Sequence, residues 1–283
     1  MDINDALLYD ITRQTTFVLL YLLLFLFAKW LKDFLTPYAI NHELTGKNNL
    51  AVSLCMAGYY FGLVAIFMGA LSGPSHGLTE DLLQVGAYSL LGIVFLNVSR
   101  YVNDRIILRR FDCTHELTEK MNVAVGAVQF GAYLATGLIA AAAVRGTGGD
   151  ALTAVVFFIL GQLSLFLFSL VYDFITPYCI HEQLEQQNTA VGAALGGTLI
   201  ALGIIVFNGA SGDFISWQVN LTDLVISNLM AFAFLPIVRL MMDKLVIPNA
   251  NLSDEIIEDK NLGAGLLEAT VAISFAIVLV SVV

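Results

Sequence analysis

Eight apolar segments recur along this chain, and they constrain its fold more than any other feature. They cover residues 14–35, 50–71, 82–103, 122–144, 151–173, 189–208, 222–247 and 262–283. A helix needs ~20 mostly apolar residues to cross the hydrocarbon core of a bilayer. Only helices and closed barrels satisfy the backbone in lipid, and these segments are too long and continuous for barrel strands. The sequence therefore predicts an all-α, polytopic membrane protein with eight transmembrane helices, numbered here as spans 1 to 8.

The composition excludes several other classes of protein. Of the 283 residues, 58% are hydrophobic and 13% are charged, whereas a soluble domain has ~25% charged residues. The formal net charge of −10 argues against a nucleic-acid partner. The chain has no Gly-rich phosphate loop, nucleophile elbow or His-Glu-x-x-His motif, so we expect neither an enzyme nor a cofactor.

Basic residues predict the orientation of the spans. Eleven of the 13 Lys and Arg lie at the connections that follow the odd spans: Lys29, Lys32, Lys47, Arg100, Arg105, Arg109, Arg110, Lys120, Arg239, Lys244 and Lys260. The opposite side has only Arg13 and Arg145. Because cytoplasmic loops carry the excess of Lys and Arg, these connections are predicted to be cytoplasmic, with both termini outside.

The chain contains an internal repeat. Thr36-Pro37-Tyr38 recurs as Thr176-Pro177-Tyr178, and Asn49 and Asn122 recur as Asn188 and Asn261 at almost the same offset. This offset predicts two four-helix halves, residues 1–147 and 148–283, each built of two hairpins. All hairpins point the same way through the bilayer, so the four tandem repeats are expected to be related by pseudosymmetry about the membrane normal.

Each hairpin carries the same polar pattern. An Asp closes the odd span, a Glu lies in the connection, and an Asn opens the even span six residues after that Glu. The Asp residues are Asp33, Asp104, Asp173 and Asp243, the Glu residues are Glu43, Glu116, Glu182 and Glu255, and the Asn residues are Asn49, Asn122, Asn188 and Asn261. The residue before each Glu is His42, His115, His181 or Asp254.

Paired hairpins with Glu-x5-Asn-x-Ala and a Gly-rich second helix resemble the YjfL-like family (domain of unknown function 350). The resemblance covers nearly the whole chain as two family-sized halves in tandem. It implies a bacterial inner-membrane protein, from a family whose members are small four-span proteins sometimes encoded near envelope-stress or polyamine-related genes. The family supplies no established activity, so the resemblance informs the fold and location more than the function.

One face of each even span carries only small residues. Positions 2, 9 and 13 after the Asn are Ala51, Gly58 and Gly62; Ala124, Gly131 and Ala135; Ala190, Gly197 and Ala201; and Gly263, Thr270 and Ser274. Lipid provides no hydrophobic drive for helix association, whereas small residues permit close backbone packing. This face is predicted to be a packing seam.

The opposite face carries polar residues in spans 2, 4 and 8, is less polar in span 6, and contains Glu268. This carboxylate lies in span 8, ~10 Å from the start of the helix at ~1.5 Å per residue, and its counterpart in span 4 is Gln129. A carboxylate at that depth is costly unless it is paired, hydrated or protonated. Two interpretations stay open: an ion or proton site on a polar pathway, or a neutral Glu that holds neighbouring helices together by hydrogen bonds.

The remaining acidic residues also allow two interpretations each. Lys29, Arg100 and Arg239 lie four residues before Asp33, Asp104 and Asp243, which predicts structural ion pairs, while Asp173 lacks a local cation. The four connection Glu residues either form a cation-attracting ring or stay solvated. With His42, His115, His181 and Asp254 beside them, a divalent metal would have ligands between repeats. The four Asn residues are either helix caps and interhelical hydrogen-bond donors or ligand contacts.

These patterns lead to one functional hypothesis and one alternative. The first is a channel or transporter for a small cation, namely a proton, a metal ion or a polyamine. Its pathway residues are Glu268, Gln129, the four Asn, the four connection Glu and Asp173. The alternative is a non-transporting anchor or sensor of envelope stress, which recruits a cytoplasmic protein through its acidic loops. A homo-oligomer is compatible with both.

Overall fold

The structure is a computed structural model that describes residues 3–108, 110–242 and 251–282. This part of the chain contains twelve α-helices and no strand. The helices are α1 (Ile3–Leu35), α2 (Ile40–Thr45), α3 (Leu50–Leu71), α4 (Leu78–Ile106), α5 (Cys113–Thr118), α6 (Val123–Ala143), α7 (Ala151–Ile175), α8 (Ile180–Glu185), α9 (Thr189–Ala210), α10 (Trp217–Met241), α11 (Leu252–Ile257) and α12 (Leu262–Val282).

The chain forms four units, each with a long helix, a short helix and a second long helix. The short helices α2, α5, α8 and α11 have six residues each. A residue with positive φ follows each short helix and turns the backbone toward the next long helix: Asn48 (51°), Met121 (47°), Gln187 (57°) and Lys260 (48°). The four capping Asn residues come directly after these turns.

Seven helices are long and apolar enough to cross a membrane: α3, α4, α6, α7, α9, α10 and α12. This confirms the predicted all-α polytopic architecture. The first predicted span lies in the 33-residue helix α1, which is not one of the seven. The count of eight spans and the symmetry axis along the membrane normal therefore stay predictions.

The second long helices of the four units pack side by side in chain order, forming a row of α3, α6, α9 and α12. The helices α1, α4, α7 and α10 form a second layer against this row. Gly58 lies against the backbone of Phe130, and Gly131 faces Gly196 in the same way. In the first three helices of the row, the small face is thus a packing seam, as predicted.

The last helix of the row departs from this pattern. Gly263, Thr270 and Ser274 occupy the small face of α12, and all three are exposed. In the part of the chain that the structure describes, no helix of the row packs beyond α12, so this face has no partner of that kind. The row is open, with α3 at one end and α12 at the other.

Adding a single methyl group inside the seam is expected to destabilise the row. In Gly131→Ala, the new Cβ would overlap the Gly196 carbonyl oxygen, so two backbones must separate. We expect a loss of about 1–3 kcal/mol in stability, measured as a lower melting temperature in detergent. Gly86→Ala in α4 is the matched control, because its Cβ would meet only Leu20 at 3.9 Å. Equal melting temperatures for both variants would contradict the close packing of α6 on α9.

Candidate functional site

Asn49 caps α3 and also connects the first unit to the second. Its side chain accepts a hydrogen bond from the backbone N–H of Val52 at 3.2 Å. Its Nδ2 donates to the Glu43 carboxylate at 2.9 Å and to the carbonyl oxygen of Leu117, in the next unit, at 2.7 Å. We call this arrangement of one helix cap, one partner in the same unit and one carbonyl of the next unit an asparagine clasp.

Asn122 and Asn188 form the same clasp. Asn122 caps α6 and donates to Glu116 at 2.8 Å and to the Leu184 carbonyl at 2.7 Å. Asn188 caps α9 and donates to the Ile256 carbonyl at 2.8 Å. The two hydrogens of each amide are thus used within the protein, which is the capping and interhelical role rather than ligand contact.

In the third unit, the sequence pattern assigned the wrong residue as the partner of the capping Asn. Asn188 donates to Gln183 at 2.9 Å, and its backbone N–H also bonds to the Gln183 carbonyl, so Gln183 takes the place of the Glu. Glu182 is exposed instead. The connection is one residue shorter here, which moves every side chain before Asn188 by one position. The match of His181 to the other histidines fails for the same reason.

The connection Glu residues do not gather into a ring. Glu43 pairs with Lys47 at 2.9 Å and Glu116 pairs with Lys120 at 2.7 Å, both within their own units. Burial would raise the pKa of Glu43, but the hydrogen bonds from Lys47 and Asn49 outweigh burial and lower the pKa below its ordinary value. The short helices follow an open row, so the predicted acidic mouth does not form around one axis. Glu255, at the end of the row, bonds to Asn261 at 2.8 Å.

The residues proposed for a metal site do not converge either. His42, His115 and Asp254 are not buried, whereas His181 is buried and its Nε2 lies 3.0 Å from the Ile107 carbonyl oxygen. Within the described ranges, no group of three or more His, Cys, Asp and Glu is arranged to hold a metal ion. Successive units place these side chains along the row rather than around a common point.

Glu268 belongs to a buried cluster between α7, α10 and α12. Its Oε1 lies 2.7 Å from Arg239 Nη1 and accepts a hydrogen bond from the Tyr172 hydroxyl at 2.9 Å. Arg239 also donates to Tyr172 at 2.9 Å and to the Tyr178 hydroxyl at 3.5 Å. Glu268 is only 2% exposed. We call Arg239, Glu268, Tyr172 and Tyr178 the second-half cluster.

A related cluster lies in the first half of the chain. Arg100 Nε lies 3.6 Å from the Asp104 carboxylate, which accepts a hydrogen bond from Gln129 at 2.5 Å. Lys32, 1% exposed, donates a hydrogen bond to the Tyr133 hydroxyl. Its Nζ also lies 4.5 Å from the centroid of the Tyr133 ring. We call Lys32, Arg100, Asp104, Gln129 and Tyr133 the first-half cluster.

The two clusters occupy matching positions but carry different charges. Arg239 and Glu268 follow Arg100 and Gln129 by the same offset that relates Asn261 to Asn122. In the second half the buried carboxylate lies on the row helix and pairs with Arg directly. In the first half a neutral Gln takes that position, and Lys32 adds a buried cation.

The predicted ion pairs have mixed outcomes. Asp243 lies outside the described residues, and Arg239 points to Glu268 on another helix. Lys29 and Asp33 form no ion pair in the described part of the chain. The buried lysine of α1 is Lys32. Asp173 lines a small cavity of about 20 Å³ with Ile107, Ser169 and His181.

Sequence reasoning missed the aromatic and cationic partners of these clusters. Lys32 was used only to predict the topology, Tyr172 was not singled out, and Tyr133 was placed on the polar face of span 4 without a partner. One signal was present: Lys32 and Tyr172 hold equivalent positions, each four residues before the Thr of a Thr-Pro-Tyr motif. A polar side chain at equivalent positions of two repeats, inside a span, marks a buried position with a partner.

The fold and the buried clusters define a multi-pass, all-α membrane protein with polar groups held between its helices. The family model for the Domain of Unknown Function (DUF350) matches residues 6–144 and again residues 147–283. The chain therefore belongs to this family, with two matches in tandem. It is similar to a UPF0719 transmembrane protein of Aquifex aeolicus (strain VF5), with 25% identity over 267 residues, covering 91% of this chain and 95% of that protein. No solved structure matches the chain.

The clasps predict unequal effects of the same substitution along the row. Asn122→Ala removes a helix cap and a donor to the next unit, so we expect a loss of about 2–4 kcal/mol. Asn261→Ala removes only a cap and a local partner, for an expected loss of about 1 kcal/mol. Denaturant unfolding in detergent measures both values. A loss at Asn261 equal to that at Asn122 would contradict the role of the Leu184 carbonyl.

The buried ion pair predicts a strong coupling between its partners. Glu268→Gln leaves Arg239 buried without its carboxylate, and breaking such a pair costs about 3–5 kcal/mol. In the double variant Arg239→Gln/Glu268→Gln neither charge remains, so most of that loss should return. The double-mutant cycle is read from unfolding free energies. Additive losses would show that the two side chains do not stabilise one another.

Proposed function

We propose that this chain moves a small cation across the membrane, and that the cation is a proton exchanged at Glu268. The observation that carries this proposal is the contact of a buried carboxylate with Arg239 and Tyr172 inside a helix long enough to span the bilayer. Ionisable groups at such a depth are expensive and usually serve substrate or proton pathways. As part of the same proposal, the short helices lie on the cytoplasmic side of a bacterial inner membrane.

The surroundings of Glu268 favour a proton over a metal ion or a polyamine. A metal ion needs several oxygen or nitrogen ligands, and the positive charge of Arg239 already lies 2.7 Å from the Glu268 carboxylate. A polyamine would have to displace that guanidinium and fill its volume. A proton needs neither a ligand shell nor a cavity, and it binds directly to a carboxylate oxygen.

Protonation would change the balance of forces in the second-half cluster. A neutral Glu268 no longer compensates the Arg239 charge, which then depends on the two tyrosines. The Arg239 guanidinium carbon lies 5.3 Å from the Tyr172 ring centroid and 5.7 Å from the Tyr178 ring centroid, so both rings can hold the cation in part. The cluster therefore offers two arrangements, with Arg239 bound to Glu268 or held by the aromatic rings.

In this scheme we assign the structure to a closed state. An apolar cavity of about 270 Å³ lies between α9, α10 and α12, lined by Val238, Ala276 and other apolar residues from Ile205 to Val282. Cavities lined only by apolar side chains stay dry, so this one offers no hydrated path for a proton. The proposal is thus a gated transporter, in which a helix movement must connect Glu268 to the far side, rather than an open channel.

The test is proton flux into liposomes that contain the purified protein and a pH-sensitive dye, driven by a potassium-diffusion potential. Wild type is expected to acidify the lumen, and Glu268→Gln is expected to match empty liposomes. Arg239→Gln/Glu268→Gln is the folding control, because neither buried charge remains and the variant should be more stable than Glu268→Gln. It is also expected to show no flux, which separates loss of the carboxylate from misfolding. Equal flux in wild type and both variants would overturn the role of Glu268.

The alternative of a non-transporting anchor predicts a different result in the same assay. Absence of proton, potassium and spermidine flux in wild type would overturn the transport proposal. Capture of a soluble protein that depends on the exposed Glu182 would then favour recruitment. Glu43, buried in its clasp, is the matched control for that capture experiment.

A further inference from the structure

A groove between α1 and α3 lies at the end of the bundle away from the short helices. The groove has a volume of about 510 Å³. Phe17, Val18 and Tyr21 line it on α1, and Val64, Phe67 and Leu71 line it on α3. Arg13 also lines the groove, one turn of α1 before Phe17. The groove is thus lined mainly by apolar side chains and has the Arg13 cation at one end.

Aromatic contacts mark where the groove begins. The ring centroids of Tyr21 and Phe67 are 5.1 Å apart, and those of Phe25 and Tyr60 are 4.7 Å apart. Both pairs hold α1 against α3, and Tyr21 and Phe67 also line the groove. Beyond Tyr21, toward the N-terminus of α1, Arg13 turns to α4, where its Nη2 lies 3.5 Å from Asp81. The space left between the two helices is the groove.

The N–H donors of the Arg13 guanidinium are not used in hydrogen bonds within the described residues. A guanidinium carries five N–H donors, yet Arg13 makes no hydrogen bond to any residue that the structure describes. The Asp81 carboxylate is already engaged by the Ser75 hydroxyl at 2.6 Å and by the His76 backbone N–H at 2.8 Å. The Arg13 side chain is 41% exposed. It is therefore open to an acceptor from outside the chain.

The lining of the groove does not suit a helix as the occupant. Val64 stands at the same distance from the cap of α3 as Gly137 and Gly203 stand from the caps of α6 and α9. Those two glycines contact the backbone of the preceding row helix: a Cβ on Gly203 would lie 2.7 Å from the Ala135 Cα. Val64, with Phe17 and Phe67 beside it in the lining, does not permit the close backbone contact that the two glycines make.

We propose that this groove binds an anionic glycerophospholipid, with one acyl chain along the apolar lining and the headgroup phosphate on Arg13. Apolar side chains supply the contact area, and the guanidinium offers the paired donors that phosphate oxygens accept. Arg13 is one of two basic residues predicted at this end of the bundle, the other being Arg145. Arg13 thus gives this groove a positive charge for the headgroup phosphate, and most of the surrounding surface has none.

The experiment is native mass spectrometry of the full chain in detergent with added phosphatidylglycerol or phosphatidylcholine. Wild type is expected to retain phosphatidylglycerol preferentially, and Arg13→Gln to bind it about fivefold less tightly, the size expected for one basic side chain against an anionic headgroup. Arg145→Gln is the matched control, because Arg145 belongs to the same end but does not line the groove. It should bind phosphatidylglycerol as wild type does.

A second variant tests the acyl part of the site. Val64→Trp fills the groove, so it should reduce retention of both lipids, while circular dichroism and gel filtration verify that the protein remains folded. Unchanged retention in both Arg13→Gln and Val64→Trp would overturn the proposal. So would a dimer of wild type that Val64→Trp converts to monomer, because the groove would then hold a helix of a second copy.

Discussion

Close contact between helix backbones is the constraint on which this structure depends. Lipid is as apolar as the helices, so association relies on van der Waals contact and on hydrogen bonds between helices. Glycines such as Gly58, Gly131 and Gly197 bring the row helices together, and a Cβ at any of them would overlap a neighbouring helix. The asparagine clasps fix the same helices at one end. Packing and clasp together set the order of the row, and the second layer then packs against it.

The row also explains where charge is tolerated. Between the row and the second layer, buried cations contact carboxylates, amides or aromatic rings. Arg239 pairs with Glu268, and Lys32 donates a hydrogen bond to Tyr133. The two halves use the same positions with different chemistry. A Glu on the row in one half and a Gln in the other means that only one cluster has a carboxylate on the row. The repeated scaffold therefore holds two buried clusters of different charge.

The sequence predicted the helical membrane fold, the packing seam and the caps, because these follow from periodicity and from residue size along one helix. It misplaced the third connection, because a deletion of one residue is invisible when Glu182 happens to stand at the expected spacing. It also assigned partners by distance along the chain, which paired Arg239 with Asp243. The contact with Glu268 joins two helices of the fourth unit whose separation depends on the packing of both against α9. The spacing of residues along one helix therefore does not predict the Arg239–Glu268 contact.

The direction of the clasps has a consequence for biosynthesis. Each of Asn49, Asn122 and Asn188 donates to a carbonyl that belongs to the unit made next, so every clasp stays incomplete until a later hairpin has entered the membrane. Assembly that follows synthesis from the N-terminus thus adds one hairpin at a time to an edge whose amide donor is already presented. Because each Asn donates toward the C-terminal neighbour, the clasps are expected to form in the order in which the units are synthesised.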